Sequence, residues 1–305
     1  MRVRDILLAV LVALIWGLTF VVIKLGLEEM PPLFFSALRF LCAAFPAVLL
    51  FGRRGIPWRI IFWVGLVLGV GMYSLLYLGV KLGMPAGLSS LVLQAQVFFT
   101  ASLSAFFLKD PPLRWQKVGI AVALGGIALL ASTQSGSVHP FALLLVLGAA
   151  VAWAIANILI KRAGQVDMFR LMIWMSLVPP LPLLLFSAVF ERHQGAVLTG
   201  MSLRGFGAIL YTGLLATVVA FSLWGRLFRI YSPNQVAPFA LLVPVFGMAG
   251  ARLLLHEELT LASLLAAALV LLGLVMVVAG GRRPGLRPWT RPGGHPGDAN
   301  CTEGE

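Results

Sequence analysis

Ten apolar segments, each close to the length needed to cross a lipid bilayer, constrain the fold of this chain more than any other feature. A helix of about 20 residues spans the hydrocarbon layer, which is roughly 30 Å thick. The segments lie at residues 5–26, 33–51, 58–80, 86–108, 115–132, 139–161, 168–190, 205–229, 234–256 and 260–280. A hydrophobic content of 60%, a charged content of 11% and a mean hydropathy of +0.98 exclude an ordinary soluble domain. We predict an all-α integral membrane protein with ten transmembrane helices.

A pattern in the fourth segment recurs 148 residues later in the ninth, which divides the chain into two halves. GMPAGLSSLVLQAQVFFTASLSAFFLKD begins at Gly83, and PNQVAPFALLVPVFGMAGARLLLHEE begins at Pro233. Each half holds five helices, and five is an odd number, so the second half enters the membrane from the opposite face. We predict two inverted five-helix repeats at residues 1–134 and 135–281, followed by a disordered cytoplasmic tail at 282–305 that is rich in Pro, Gly and Arg.

The distribution of basic residues predicts the orientation of the helices. Of the 23 Lys and Arg residues, 17 fall on the side that holds the N-terminus, three on the other side and three within the spans. Cytoplasmic loops carry the excess of Lys and Arg in membrane proteins, so both termini are expected in the cytoplasm. This asymmetry also accounts for the net charge of +12 without a nucleic-acid partner.

Polar, aromatic and helix-breaking residues at mid-span depth are the candidates for a substrate site. A Gln or Asn there needs hydrogen-bond partners because lipid offers none, whereas Ser and Thr residues often serve only to pack helices together. A proline at the corresponding depth of the second repeat interrupts its helix. Together with a buried arginine, the candidates are Trp16, Arg39, Gln96, Thr100, Trp153, Asn157 and Pro244. We expect the first, third, fourth, sixth, eighth and ninth helices to enclose the central cavity.

Three cations fall within the spans, but no carboxylate lies at mid-membrane. Lys24 can extend towards the surface and pair with Glu28 four residues on. Arg39 lies roughly 9 Å from the end of its span and is expected to bind backbone carbonyls or the carboxylate of a zwitterionic substrate. The position of the carboxylates favours facilitated efflux or exchange, or coupling through an end residue such as His256 or Glu257.

Several segments together resemble the EamA family of the drug/metabolite transporter superfamily. They are LIWGLTFVVIKLGL from Leu14, MPPL and ALRF in the second span, GMPAGLSSLVLQAQVFFT and APFALLVPVFGMA. The resemblance covers residues 5–280 and implies a multi-pass secondary transporter of the bacterial inner membrane. It further implies export of small metabolites, with amino acids of the cysteine pathway, such as O-acetylserine and cysteine, as the expected cargo.

Other functions remain open at this stage. The cargo could be another amphipathic metabolite or drug, and more distant alternatives are a scaffold without transport and a membrane enzyme acting on a lipid-linked substrate. No catalytic motif supports an enzyme, and His256-Glu257-Glu258 lacks the second histidine of a zinc motif, so we expect neither a cofactor nor a metal. The expected partners are a small-molecule substrate and the lipid bilayer, with the protein a monomer or homodimer.

Overall fold

In the computed structural model of the protein, the chain forms a bundle of ten helical spans. The structure describes residues 1–280 except positions 46, 108, 110, 111, 134–138, 165, 193 and 232. The described residues contain helices and no strand. Nine of the helices found there are long and apolar enough to cross a membrane, and the ninth span in chain order contains the shorter apolar helix Pro238–Leu254. The predicted all-α fold is therefore confirmed, whereas the predicted tail at 282–305 lies outside the described residues.

The spans are numbered α1 to α10 in chain order. The uninterrupted spans are α1 Val3–Glu29, α5 Arg114–Thr133, α6 Pro140–Arg162 and α10 Leu261–Gly280. The others consist of consecutive pieces: α2 of Pro32–Ala44 and Ala47–Leu50, α3 of Trp58–Val64, Gly65–Met72 and Tyr73–Lys81, α4 of Ala86–Val92, Leu93–Ala95 and Gln96–Phe107, α7 of Met168–Met175 and Pro180–Phe190, α8 of Leu203–Leu210, Tyr211–Val219 and Ala220–Ile230, and α9 of Pro233–Val236, Ala237–Leu241 and Leu242–Leu254. A short helix, Gln194–Gly200, precedes α8.

The interruptions occur at equivalent places in the two repeats. Gly65–Met72 in α3 and Tyr211–Val219 in α8 are π-helical, and a shift of 148 residues brings the first onto residues 213–220. Leu93–Ala95 in α4 and Ala237–Leu241 in α9 form 3₁₀ turns at neighbouring repeat positions. Irregular helical turns of both kinds are frequent at functional sites. The two repeats thus share their departures from regular helix as well as their sequence pattern.

Packing between the spans follows the pseudo-two-fold symmetry of an inverted repeat. Helix α1 packs on α9 and α8, and α6, its equivalent, packs on α4 and α3. Three pairs of equivalent helices also pack on each other: α2 on α7, α5 on α10, and α4 on α9. The inverted arrangement confirms the predicted topology. The contacts of α1 with α8 and α9, and of α6 with α3 and α4, all cross between the repeats, so residues on these six helices define the interior.

Two faces of the bundle are named by where α1 begins and ends. The N-terminal face holds Val3 and the ends of α4, α6 and α8, and the distal face holds Glu29 and the starts of α2, α4 and α8. On the distal side of its 3₁₀ turn, Ala86–Val92 of α4 packs against α9 and α1. On the other side, the principal neighbour of Gln96–Phe107 is α6. Helices α4 and α9 are therefore in close contact in the distal half and diverge towards the N-terminal face.

The crossing of α1 and α9 brings two backbones into direct contact. A methyl group at Gly17 would lie 2.6 Å from Phe246 Cβ and 2.8 Å from the Val243 carbonyl oxygen. Carbon atoms do not approach so closely, and part of the obstacle is backbone, which cannot rotate away as a side chain can. Gly17 therefore permits the close crossing of α1 and α9 that joins the two repeats.

Replacing Gly17 with alanine is expected to destabilise the folded protein by roughly 1–3 kcal/mol, the typical cost of overpacking a core. Gly125→Ala is the matched control, because nothing lies within 4 Å of a methyl group added there. In a helix that change should stabilise by about 0.5–1 kcal/mol. Thermal unfolding of the detergent-purified variants measures both effects. Equal melting temperatures for the two variants would contradict the close crossing.

Candidate functional site

A hydrogen-bonded cluster of three polar side chains joins the two repeats in the middle of the bundle. Asn157 of α6 donates from Nδ2 to Gln96 Oε1 at 2.8 Å and to Thr100 Oγ1 at 3.1 Å, both on α4. Gln96 follows the 3₁₀ turn of α4 directly, so the irregular turn sets the direction in which this side chain points. Gln96, Thr100 and Asn157 are all half-buried rather than sealed in the packing.

The cluster keeps hydrogen-bonding capacity that the protein does not use. The amide nitrogen of Asn157 donates to two acceptors. No group among the described residues pairs with the Asn157 Oδ1 atom or with Gln96 Nε2. An amide carries two donors and an acceptor with two lone pairs. Because a polar atom at this depth in a membrane protein needs a partner, the free donor and acceptor suit the polar groups of a small solute.

Two other predicted residues lie on α6 and α9, helices that line the interior. Trp153 precedes Asn157 by one helical turn on α6, is half-buried and packs against the hydrophobic core. Pro244 is buried near the start of Leu242–Leu254, directly after the 3₁₀ turn of α9. The interruption predicted from this proline is therefore present, a few residues before the proline itself.

Trp16 lies apart from the polar cluster, at the contact of α1 with α8. Its indole Nε1 donates to the Ala216 carbonyl at 3.0 Å, in the π-helical part of α8. Its ring packs against Phe221 and Trp224 with centroids 5.0 and 5.2 Å away. The indole nitrogen is thus already paired within the protein, and the aromatic face is the part left to contact a solute.

Arg39 projects from α2 between α3 and α8 and is 2% exposed. Its Nη2 donates to Thr217 Oγ1 at 2.8 Å, and its guanidinium lies 3.9 Å from the centroid of the Tyr73 ring. The expectation that backbone carbonyls bind this arginine is not met among the described residues, where a hydroxyl and aromatic rings surround it. No bond joins it to Gln96 or Asn157, so the predicted residues form two separate polar sites.

At the distal face, a carboxylate of the second repeat binds the start of a helix in the first. Glu257, which follows α9, accepts hydrogen bonds from the backbone N–H of Ala86 at 2.7 Å and of Gly87 at 3.1 Å. Its Oε1 also lies 3.1 Å from Lys24 Nζ of α1. The helix dipole and the unpaired N–H groups at the start of α4 both favour a carboxylate there. Glu257 therefore holds α1, α4 and α9 together.

An equivalent contact joins α7 to α2. Glu191 accepts from the backbone N–H of Leu33 at 2.7 Å and of Phe34 at 3.0 Å, and the Ser187 hydroxyl donates to it at 2.7 Å. Neither carboxylate was predicted to have this role. The sequence did contain a sign of this role. The residue before the first helical residue is Pro31 in α2 and Pro85 in α4, so neither helix has a Ser, Thr, Asp or Asn cap. The first N–H groups of both helices therefore need an acceptor from another part of the chain.

The expected pairing of Lys24 with Glu28 is wrong. Glu28 pairs instead with Arg204 of α8 at 3.3 Å, and both side chains of that pair are more than half exposed. Lys24 lies on the face of α1 that packs against α9, so its ammonium group is within ion-pair distance of the Glu257 carboxylate. A neighbour four residues along the same helix cannot compete with a carboxylate held in place by two backbone N–H groups.

The hydrogen bonds at the N-terminal face join other pairs of helices than those at the distal face. Tyr231 of α8 donates to Asp5 Oδ2 of α1 at 2.8 Å. Trp174 of α7 donates to the Phe51 carbonyl at 2.8 Å. Among the described residues, no hydrogen bond at this face joins α9 to α4 or α1 to α3. At the distal face both links exist, through Glu257 and through Lys81, which donates to the Leu27 carbonyl.

The chain matches a family model over residues 4–132 and 140–279, which describes the EamA-like transporter family. The chain belongs to this family. The two matched segments correspond to the two repeats of the structure. Membership of the EamA-like transporter family makes the protein a membrane transporter rather than an enzyme, and no group of three His, Cys, Asp or Glu residues in the described chain could hold a metal ion.

Relatives with similar sequences agree with this assignment, and one solved structure agrees with the fold. The chain is 41% identical over 287 residues to a "Probable amino-acid metabolite efflux pump" of Salmonella typhimurium, covering 92% of this chain and 96% of the relative. It is 38% identical over 285 residues to a protein of Escherichia coli K12 with the same name, covering 91% and 95%. A crystal structure at 19% identity matches with a TM-score of 0.61, covering 90% of this chain and 96% of the other, and supports the fold alone.

Proposed function

We propose that the protein exports small zwitterionic metabolites, first among them amino acids of the cysteine pathway such as O-acetylserine and cysteine, by alternating access. The single observation that carries this proposal is the cluster of Gln96, Thr100 and Asn157, which links the two repeats at mid-membrane and keeps a free donor and a free acceptor. The relatives named as amino-acid metabolite efflux pumps support the choice of cargo class.

The remaining predicted residues complete the proposed binding region. Trp153 offers an aromatic face next to Asn157, and Trp16 offers another on the opposite repeat. Pro244 follows the 3₁₀ turn Ala237–Leu241 by three residues, and we expect this irregular stretch to let the two halves of α9 move relative to each other. Arg39 is the cation of the region.

The contacts at the two faces support a distal-closed, N-terminal-open state. Glu257 ties the second repeat to the first at the distal face, and Lys81 ties α3 to α1 within the first repeat, whereas α4 and α9 diverge towards the N-terminal face. We assign the N-terminal face to the cytoplasm because 17 basic residues lie on that side. Both termini are then on the cytoplasmic side of a bacterial inner membrane. Cargo then enters the cluster from the cytoplasm and leaves when the distal ties open.

Export of another amphipathic metabolite or drug is the alternative function. Trp16, Phe221 and Trp224 form an aromatic group on the inner helices α1 and α8, which would suit a larger apolar cargo. Aromatic faces bind many compounds without strong selection, whereas the Gln96–Asn157 cluster selects polar groups. The two functions therefore differ in which of these groups the cargo contacts.

Counterflow in proteoliposomes containing the purified protein tests the proposal. Vesicles loaded with unlabelled O-acetylserine, cysteine, other amino acids or unrelated amphipathic drugs are diluted into a trace of the labelled compound. The proposal predicts accumulation of labelled O-acetylserine or cysteine that the other cysteine-pathway amino acids inhibit and the drugs do not. Accumulation driven by the drugs alone would establish the alternative function, and accumulation of none of the compounds would contradict the proposed cargo class.

A further inference from the structure

Arg39 is buried in an environment that does not balance its charge. The guanidinium lies 3.9 Å from the Tyr73 ring centroid and 4.6 Å from that of Phe40, and it is 2% exposed. No carboxylate forms an ion pair with it among the described residues. Aromatic faces attract a cation, but by only about 2 kcal/mol even when water is excluded. A guanidinium at this depth therefore keeps a strong preference for an anion.

Several buried polar atoms around Arg39 have no hydrogen-bond partner at bonding distance and angle. They are Arg39 Nε and Nη1, Tyr77 Oη and Ser36 Oγ, although the Tyr73 and Tyr77 hydroxyls lie close to the guanidinium. An arginine has five N–H bonds, and these two nitrogens carry three of them. Native proteins rarely leave so many buried donors in one place without a ligand or ordered water. The guanidinium therefore has N–H groups available for an acceptor from a ligand.

Thr217 fixes the orientation of the guanidinium. Its hydroxyl donates to the Thr212 carbonyl at 2.9 Å, five residues earlier in the π-helical part of α8, so its lone pairs face Arg39. On the opposite side, Tyr73 follows the π-helical part of α3 directly. Arg39 thus lies between the two π-helical segments that occupy equivalent places in the repeats. Such segments occur frequently at functional sites in helical proteins.

We propose that the Arg39 cluster, formed by Arg39, Tyr73, Tyr77 and Thr217, binds the carboxylate of the transported metabolite; this rests on the proposed export function. The Gln96–Thr100–Asn157 cluster is neutral and cannot balance the negative charge of a zwitterion. In the described part of the chain, Arg39 is the one cationic side chain that is buried. Guanidinium–carboxylate bonds are the stronger type because both partners are charged.

The depth of Arg39 places this site on the distal side of the neutral cluster. It follows Pro32, the first residue of α2, by seven residues, which is about 10 Å along the helix. The distal ties close the structure on this side, and they explain why Arg39 is shielded here. The carboxylate reaches Arg39 when the ties open, so the site attracts the cargo from the neutral cluster towards the exit.

The test compares each free amino acid with its methyl ester, which lacks the carboxylate charge. Counterflow of serine and O-acetylserine should exceed that of their esters by at least tenfold in the wild type. In Arg39→Lys, which keeps the charge and loses the planar donor fork, free-acid counterflow should fall at least tenfold and ester counterflow should stay within twofold. Arg204→Lys, a matched change of an exposed guanidinium on α8, should leave both rates unchanged. A preference for the free acid that survives in Arg39→Lys overturns the proposal.

Two further measurements test the proposal if the Arg39→Lys protein does not accumulate in the membrane. Tyr77→Phe removes one donor of the cluster and should reduce the acid-to-ester ratio three- to tenfold; an unchanged ratio counts against the site. The melting temperature of purified wild-type protein should rise with the free acids and not with the esters. Equal shifts, or none with any free acid, overturn the carboxylate site independently of transport.

Replacing chloride with methanesulfonate, an anion without a carboxylate, on both sides of the membrane tests whether the anion at Arg39 is inorganic. If the free-acid preference persists, the carboxylate belongs to the cargo. If it disappears, Arg39 holds an inorganic anion and the proposal is wrong. Wild-type protein that moves neither acids nor esters, yet shows the acid-specific rise in melting temperature, would contradict the export of these compounds and not the site.

Discussion

Asn157→Leu is expected to reduce export of a zwitterionic amino acid by about 10- to 100-fold, because a hydrogen bond to a charged group contributes roughly 1.5–3 kcal/mol. Leucine is close to asparagine in size, so the helices α4 and α6 should still pack. The variant also leaves Gln96 Oε1 and Thr100 Oγ1 without the donor they share. Hydrogen bonds between membrane helices contribute only about 0.6 kcal/mol each to stability, so folding should be little affected. Gln96→Leu should act in the same direction.

Ser102→Ala is the matched control for the polar cluster. Ser102 lies on the same half of α4, but its hydroxyl donates only to the Phe98 carbonyl of its own helix at 3.0 Å. Its loss should change the counterflow rate less than twofold. The rates of all three variants are compared at equal protein content, with a melting curve to establish that each is folded. Normal transport by Asn157→Leu and Gln96→Leu would remove this cluster from the transport path.

Glu257→Ala is expected to loosen the distal face and to cost about 1–2 kcal/mol of stability, since a lost helix cap costs about 0.5–2 kcal/mol. The change frees the N–H groups of Ala86 and Gly87 and removes the partner of Lys24. The distal seal between α1, α4 and α9 then opens more readily, so coupled exchange should fall while leakage of cargo rises. Efflux into cargo-free buffer, compared with exchange, measures the two effects in the same vesicles.

Glu28→Gln supplies the control on the same face. Glu28 pairs with Arg204 in an ion pair exposed to solvent, and such pairs contribute about 0–1 kcal/mol. Removing it should change neither the leak nor the melting temperature detectably. If Glu257→Ala behaves like Glu28→Gln, the Glu257 contacts do not hold the distal face closed.

The sequence was sufficient to predict the fold and to single out the three polar residues that the structure brings together. Length and hydropathy predict spans directly, and the match of Gln96 with Pro244 across the repeats indicated the depth at which both helices become irregular. Gln96, Thr100 and Asn157 were predicted because a polar group at mid-membrane requires a partner, and here the partners are one another.

The contacts between distant elements could not be read from the sequence. Lys24 has an acidic residue four positions on, and only the packing of α1 against α9 decides in favour of Glu257. The π-helical segments of α3 and α8 have no distinctive composition, so neither they nor the pairing of Trp16 with the Ala216 carbonyl was foreseen. Arg39 was recognised as a buried cation, but its neighbours Tyr73 and Thr217 come from other helices.

The reactivity of a single cysteine at position 100 tests most directly whether the central cluster opens to one side at a time. Thr100→Cys is made in a chain carrying Cys42→Ala and Cys301→Ser, and vesicles of known orientation are treated with a membrane-impermeant maleimide from either side. We expect labelling from the cytoplasmic side in the resting protein, and a shift towards labelling from the distal side when Glu257→Gln is added. Labelling from the distal side at rest, or an unchanged pattern with Glu257→Gln, would contradict alternating access through this cluster.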